Sequence, residues 1–124
     1  MANVTLERID EIEAYGGPRA IPGIRFRPAA RALGISAWGM NVIDLDPGCT
    51  AYPEHDHVKD GQEEVYVLLS GTATLHADGA EWPLAPGTLV RVGPQAKRKI
   101  VPGPEGARVL ALGATPGQAY APRR

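Results

Sequence analysis

Cysteine is almost missing from this sequence, since Cys49 is the single one among 124 residues. A lone thiol cannot form an internal disulfide, and it cannot supply the thiolate cluster of a structural zinc site. The chain must therefore gain its stability by burying an apolar core. Its length is enough for one domain with a core of that kind.

Long apolar runs and a strong net charge are missing as well. No apolar run is long enough to span a bilayer, and the opening stretch MANVTLERIDEIEAYGG is charged and lacks the apolar centre of a secretory signal. A formal net charge of −1 gives no general attraction to nucleic acid or to an anionic membrane. The basic cluster Lys97–Lys99 lacks the interleaved aromatics that stack on bases. We therefore expect a cytoplasmic protein without a nucleic-acid or membrane partner.

Glycine and proline are frequent, with 15 and 12 copies, and they divide the chain into short apolar segments. Such segments, rich in β-branched residues and bounded by turn residues, predict strands. The predicted strands are 35–45, 52–58, 64–69, 72–77, 81–84, 89–92, 98–101 and 108–112. Short strands at nearly regular spacing predict an all-β sandwich or barrel.

The segment before residue 35 carries the helical signals. Thr5 can cap a short helix whose apolar residues Leu6, Ile9 and Ile12 follow at intervals of three. Residues 28–33 can form one helical turn that Gly34 closes. We therefore predict an N-terminal helix and extended arm over 1–34, a single barrel domain over 35–113 and a tail over 114–124.

The stretch EHDHVKDGQEE at 54–64 carries the clearest chemical signal. In a strand, His55 and His57 lie on one face, because side chains two residues apart point the same way. Two imidazoles and a carboxylate from the next strand, Glu63 or Glu64, can hold a divalent metal and leave coordination positions open. Paired surface histidines that bind no metal are the alternative.

The wider spacing resembles the first motif of the cupin superfamily. That motif has a glycine, an H-x-H pair and a glutamate six residues before a second glycine, which here are Gly48, His55, His57, Glu64 and Gly71. The resemblance selects Glu64 as the carboxylate ligand. It implies a cupin double-stranded β-helix, that is, a jelly-roll barrel. It also implies a homodimer and a bound divalent metal such as zinc, manganese, iron or nickel.

The resemblance extends from about Ile35 to Leu112, but the second cupin motif departs from the family pattern. Gly93 stands where the family has proline, Gln95 where it has glycine, and Arg98 where it has the fourth metal ligand, a histidine. A permanent cation there would repel a metal and attract Glu64. Arg98 would also be a receptor for a carboxylate or a phosphate. We expect Arg98 to point inward because Ile100 shares its face; the alternative is a solvated Lys97–Lys99 run.

Other side chains are candidates for the ligand pocket or for the core. Trp38, Met40 and Tyr66 are expected to pack in the interior, and Trp38 and Met40 share a face that would wall a pocket. His76 is either a substitute metal ligand or a surface histidine. Cys49 is expected to act as a small apolar residue rather than a reactive thiol.

Three functions are compatible with these residues. The first is a metal-dependent oxygenase or isomerase that acts on a small organic acid, with His55, His57 and Glu64 as ligands and Arg98 as the anion anchor. The second is a metal-free binding or sensor barrel in which Arg98 pairs with Glu64. The third is a structural domain with a filled interior. Because the cupin fold serves many activities, the resemblance names no reaction.

Overall fold

The computed structural model describes residues 3–121, and strands form most of its regular structure. The strands are β1 (Ile24–Arg27), β2 (Gly39–Leu45), β3 (Glu63–Ala77), β4 (Ala80–Leu84), β5 (Leu89–Val92) and β6 (Arg98–Ala114). The helical parts are a 3₁₀ turn (Ile9–Glu11) and the helix α1 (Ala29–Leu33).

All strand pairs are antiparallel, and they form one sheet with the order β1-β2-β6-β3-β4. Strand β5 also pairs with β3, on the edge that β4 uses further along the strand. The two long strands β3 and β6 run side by side from one end of the molecule to the other. This is the predicted all-β jelly-roll barrel with a short helical segment near its N-terminus.

Strand β3 is continuous, so the break predicted at Ser70-Gly71 is wrong. The chain passes through that point with register shifts between Leu68 and Ser70 and between Gly71 and Ala73. Gly71 has a φ of +80°, and a Cβ there would collide with the carbonyl oxygen of Gly106. A bulge bends a strand without ending its pairing. The glycine therefore allows β3 to bend where it crosses β6.

Strand β6 is also continuous, although 98–101 and 108–112 were predicted as two strands. It crosses the proline- and glycine-rich segment 102–106 and keeps β3 as its neighbour on both sides of it. Pro102 itself pairs with Ala73. The other edge of the second half of β6 takes β2, from Gly39↔Gly113 to Leu45↔Ala107.

Alternate residues of these strands fill the interior. The largest fully buried apolar side chains come from β2, β3 and β6, and they are Val42, Tyr66, Leu68, Leu75, Ile100 and Val109. Leu84 of β4 and Val92 of β5 extend the same cluster. Three members of this core, Ile43, Tyr66 and Ala111, also line a cavity.

The N-terminal helix is shorter than predicted. Leu6 is 82% exposed, and the 3₁₀ turn begins only at Ile9. The hydroxyl of Thr5 caps no helix, since it donates to the carbonyl of Leu33 at 2.6 Å. The helical turn predicted to end at Gly34 is confirmed as α1, and Gly34 adopts the left-handed conformation.

Candidate metal centre and adjoining cavity

The histidine-bearing segment is not the strand that its alternation predicts. Among residues 52–58, the sheet pairing is limited to an isolated antiparallel bridge between His55 and Arg98. The two backbones exchange hydrogen bonds of 3.0 and 2.8 Å, and the amide of His57 donates to the carbonyl of Pro94 at 2.9 Å. These bonds fix the segment against the start of β6. They bring both imidazoles to the interior without a regular strand.

Each imidazole is held by its Nδ1 atom. Nδ1 of His55 lies 2.9 Å from the carbonyl oxygen of Pro53. Nδ1 of His57 lies 3.0 and 3.1 Å from the two carboxylate oxygens of Asp60. An oxygen acceptor at Nδ1 keeps the proton on that atom and leaves the Nε2 lone pair free. Such a partner also orients a histidine that binds a metal.

Glu64 provides the third donor of the cluster. Its Oε1 lies 3.3 Å from Nε2 of His57 and 3.9 Å from Nε2 of His55. The hydroxyl of Tyr66 donates to the same oxygen at 2.7 Å. Glu63 points the other way and pairs with Arg91 on the surface. Glu64, the carboxylate that the motif spacing selects, is therefore the one that lies beside both imidazoles.

The donor set fits a divalent metal ion. One ligand atom from each of His55, His57 and Glu64 lies within 4.8 Å of the others. Nε2 of His57 is buried and has no hydrogen-bond partner among the described residues. Burial lowers the pKa of His55 more than the Pro53 carbonyl and Glu64 raise it, so this ring stays neutral. Three electron-pair donors this close together form a set that can hold a divalent cation.

Two tyrosines line the wall beside the cluster and remain protonated. Burial raises the pKa of Tyr52 to about 12. Burial also raises the pKa of Tyr66, and the nearby Tyr52 and Glu64 add to that effect. Both phenols therefore act as neutral hydroxyls at neutral pH.

Arg98 points inward, as predicted, and it is completely buried. Its Nη2 atom lies 3.5 Å from Oε1 of Glu64 and donates to the carbonyl of Gly93 at 3.2 Å. Its Nε and Nη1 atoms have no hydrogen-bond partner within residues 3–121. Arg98 and Glu64 therefore lie together without forming a bidentate pair, because Nη2 makes the contact while Nε and Nη1 have no partner.

A cavity of about 710 Å³ adjoins the cluster of His55, His57 and Glu64. His55, His57 and Glu64 lie in its wall, together with Met40 and Tyr66 of the predicted pocket. Arg98 is completely buried and is not among the described residues that line the cavity. This placement does not favour Arg98 as the direct receptor for an anion.

Trp38, which was expected to wall the pocket, lies outside the described cavity wall. It is 42% exposed, so the expectation that it packs in the interior is wrong. Arg31 of α1, by contrast, is one of the described residues that line the cavity. No ion pair or hydrogen bond of the Arg31 side chain occurs among residues 3–121.

Sequence reasoning missed several of these residues. Asp60 contacts Nδ1 of His57. Its position three residues after that histidine, just before the turn glycine Gly61, is the feature of the sequence that could have indicated this contact. Arg31 and Tyr120 reach the cavity from outside the barrel strands, and no local pattern indicates that. His76 pairs with Glu81 at 3.8 Å and lies outside the cluster, which agrees with the surface alternative.

Comparisons with solved structures identify the class of the fold. A cupin-superfamily sugar phosphate isomerase from Silicibacter pomeroyi matches with a TM-score of 0.76 and 23% identity, over 89% of this chain and 75% of that one. A protein assigned as a sugar phosphate isomerase from Acidithiobacillus ferrooxidans matches with a TM-score of 0.60 and 30% identity, over 73% of this chain and 58% of that one. A protein assigned as an oxalate decarboxylase from Thermotoga maritima matches with a TM-score of 0.72 and 20% identity, over 90% of this chain and 99% of that one.

The structural neighbours include several cupin proteins, and this chain has the cupin fold. The resemblance seen in the sequence is thereby confirmed at the level of the fold. No protein-family model matches the sequence, and no curated protein matches it. Within the described residues, no helix is long and apolar enough to cross a membrane.

Proposed function

We propose that this protein binds a divalent metal through His55, His57 and Glu64 and binds a small anionic organic molecule in the adjoining cavity. One observation carries the proposal. The two Nε2 atoms and the Glu64 carboxylate face one another, and the buried Nε2 of His57 has no partner among the described residues. A divalent metal at such a centre supplies a Lewis acid that polarises an oxygen ligand.

The anionic class of the ligand is supported by the cavity wall and by the neighbours. Arg31 presents a cation to the cavity, and arginine suits carboxylate and phosphate groups. The names of the structural neighbours refer to sugar phosphates and to oxalate, which are all anions. The homodimer and the cytoplasmic location stay predictions from the sequence.

The experiment is metal analysis of the purified protein after incubation with zinc, manganese, iron or nickel and removal of the excess. We expect about one metal ion per chain for the wild type and a loss of metal in His57→Ala, since a ligand is removed. His76→Ala is the matched control, because it removes a histidine outside the cluster. Equal metal content in the two variants would place the metal elsewhere.

A metal-free binding barrel is the second candidate, and the 3.5 Å contact between Arg98 and Glu64 favours it. In this case the guanidinium would supply the positive charge that the cluster needs. The same experiment separates the two functions. A wild type that retains no metal after each of the four incubations would support the metal-free barrel and exclude the metal centre.

A further inference from the structure

The candidate centre contains its own counter-charge. Glu64 is the one carboxylate in the three-residue cluster, and the permanent cation of Arg98 lies 3.5 Å from it. Nδ1 of each histidine faces an oxygen acceptor, so each ring directs its Nε2 toward the cluster as a lone-pair donor without a negative charge. The charges of Glu64 and Arg98 therefore cancel, and the cluster offers a metal three donor atoms with almost no net negative charge.

A second carboxylate, Asp60, faces the cluster from the far side of the His57 ring. Its contact with Nδ1 of His57 is 3.0 Å, and its side chain is 30% exposed. Solvent screens a charge in that position more than it screens the fully buried guanidinium. Asp60 therefore offsets only part of the repulsion between Arg98 and a metal.

A divalent metal placed among the three donors carries a positive charge that the protein leaves largely uncompensated. Arg98 is fully buried beside the cluster and is not part of the described cavity wall, so its charge stays next to the donors. An anion can compensate the charge from the cavity side, where His55, His57 and Glu64 are accessible. An anion that coordinates the metal there would also lie in the cavity whose wall contains Arg31.

We propose that Arg98 makes metal binding depend on an anionic co-ligand, so that the metal and a carboxylate or phosphate bind as a coupled pair. This inference rests on the proposed metal centre and specifies its ligand as an anion that coordinates the metal. Coupling of this kind is reciprocal: the anion raises the affinity for the metal, and the metal raises the affinity for the anion by the same factor. Arg98 thus acts through charge, without touching the ligand.

The test is calorimetric titration of Mn²⁺ into the full-length protein in a buffer without coordinating anions and again with inorganic phosphate or with malonate. Parallel titrations without protein correct for metal–anion complexes in solution. For the wild type we expect the metal affinity to rise about tenfold or more with at least one of the two anions. The apoprotein should bind that anion correspondingly more weakly than the metal-loaded protein does.

Arg98→Met removes the charge and keeps an unbranched apolar stem in the core. We expect this variant to bind Mn²⁺ about tenfold or more tightly than the wild type in the anion-free buffer and to lose most of the anion dependence. Lys99→Met is the matched control, since it removes the same formal charge from the next residue of β6. It should behave like the wild type.

Three results would overturn the inference. If Mn²⁺ binds the wild type with the same affinity with and without anions, the coupling is wrong and the metal centre stands. If Arg98→Met keeps the full anion dependence, Arg98 is not its cause. If no metal binds in any buffer, the metal centre and the coupling both fail. If Arg98→Met does not fold, the wild-type comparison still tests the coupling between metal and anion, and Arg98→Gln then tests the role of the charge.

Discussion

Nη2 of Arg98 and Oε1 of Glu64 lie 3.5 Å apart in the interior of the barrel. The same carboxylate oxygen accepts a hydrogen bond from Tyr66 at 2.7 Å and lies 3.3 Å from Nε2 of His57. Glu64 therefore lies between a permanent cation and the two candidate metal-binding nitrogens. From the sequence, a bound metal and an Arg98–Glu64 ion pair are alternatives, because both require the Glu64 carboxylate. The contact between the two charged groups is long for a hydrogen bond, so the pair is not tightly closed.

The carboxylate of Asp60 is predicted to support metal binding by orienting His57. In Asp60→Asn, the charged acceptor of the Nδ1 proton is lost, while an oxygen remains for the amide of Gln62. We expect the metal affinity to fall about 10- to 100-fold, which is the usual effect of removing such a partner. Calorimetric titration with the metal measures it.

The matched control for this prediction is Asp56→Asn. Asp56 lies in the same segment and accepts a hydrogen bond from the amide of Val58, but it does not contact an imidazole. The Asp56→Asn variant should keep its metal affinity within about threefold of the wild type, since the side chain that changes holds neither imidazole. A similar loss in both variants would show that the net charge of the segment matters and that the orientation of His57 does not.

Arg31 is predicted to contribute to anion affinity and not to metal affinity. It lies in the cavity wall and is not part of the ligand cluster. In Arg31→Gln we expect the metal-loaded protein to bind phosphate or malonate about tenfold more weakly, because a charge-assisted contact is lost. The metal affinity measured without anions should not change.

Arg19→Gln is the matched control for Arg31, since Arg19 is exposed and does not belong to the described wall of the cavity. Anion binding that falls equally in both variants would reflect the overall charge of the protein. Anion binding that is unchanged in Arg31→Gln would refute a role for this arginine.

Part of the candidate centre was predictable because its residues are close in sequence. The spacing of His55, His57 and Glu64 indicates a ligand set, and alternation around Ile100 indicates that Arg98 is buried. Arg31 was not predictable in this way. It is brought to the cavity by the packing of α1 against β2, and no local pattern encodes a contact between distant segments.

The all-β class and most strand positions followed from alternation and turn residues, but the long strands did not. Ser70-Gly71 reads as a turn in the sequence, yet β3 continues through it as a bulge. Local composition cannot separate these cases, because glycine serves both a turn and a bulge, and the outcome depends on whether a neighbouring strand continues alongside. Here β6 does so.

Gly71 is predicted to be essential for this crossing of β3 and β6. Gly71→Ala combines an unfavourable φ of +80° with a collision against the backbone of Gly106. We expect the free energy of unfolding to fall by about 3 kcal/mol or more, since neither strand can move without losing ladder bonds. Urea denaturation measures the loss.

Gly79→Ala isolates the conformational part of this effect. Gly79 also has a positive φ, +73°, but a Cβ there meets nothing within 4 Å. Its cost should be about 1 to 2 kcal/mol, the usual strain of a non-glycine residue in that region. Losses of equal size in the two variants would mean that the contact with Gly106 adds nothing.

Asp44 is predicted to stabilise the sheet formed by β1, β2 and β6. It is 6% exposed, and its two oxygens accept hydrogen bonds from Nε of Arg108 at 2.7 Å and Nε of Arg27 at 3.0 Å. Asp44→Asn leaves these guanidinium groups without their shared anion, so we expect a loss of about 2 to 3 kcal/mol at neutral pH. Asp46→Asn is the control: Asp46 pairs with Arg25 but its side chain is 49% exposed, so its loss should stay below about 1 kcal/mol.

The pH dependence of the Asp44 contribution follows from its pKa. Burial raises this pKa, but the hydrogen bonds from Arg108 and Arg27 outweigh burial and hold it below the ordinary value of 3.8. A carboxyl whose pKa is lower in the folded state stabilises the protein fully above its unfolded pKa, and this contribution disappears as the pH falls through the folded pKa. The difference in unfolding free energy between the wild type and Asp44→Asn should therefore be constant from neutral pH to about pH 5 and shrink below about pH 4. Urea denaturation of both proteins across this range measures it, and a difference that grows on acidification would contradict the assignment.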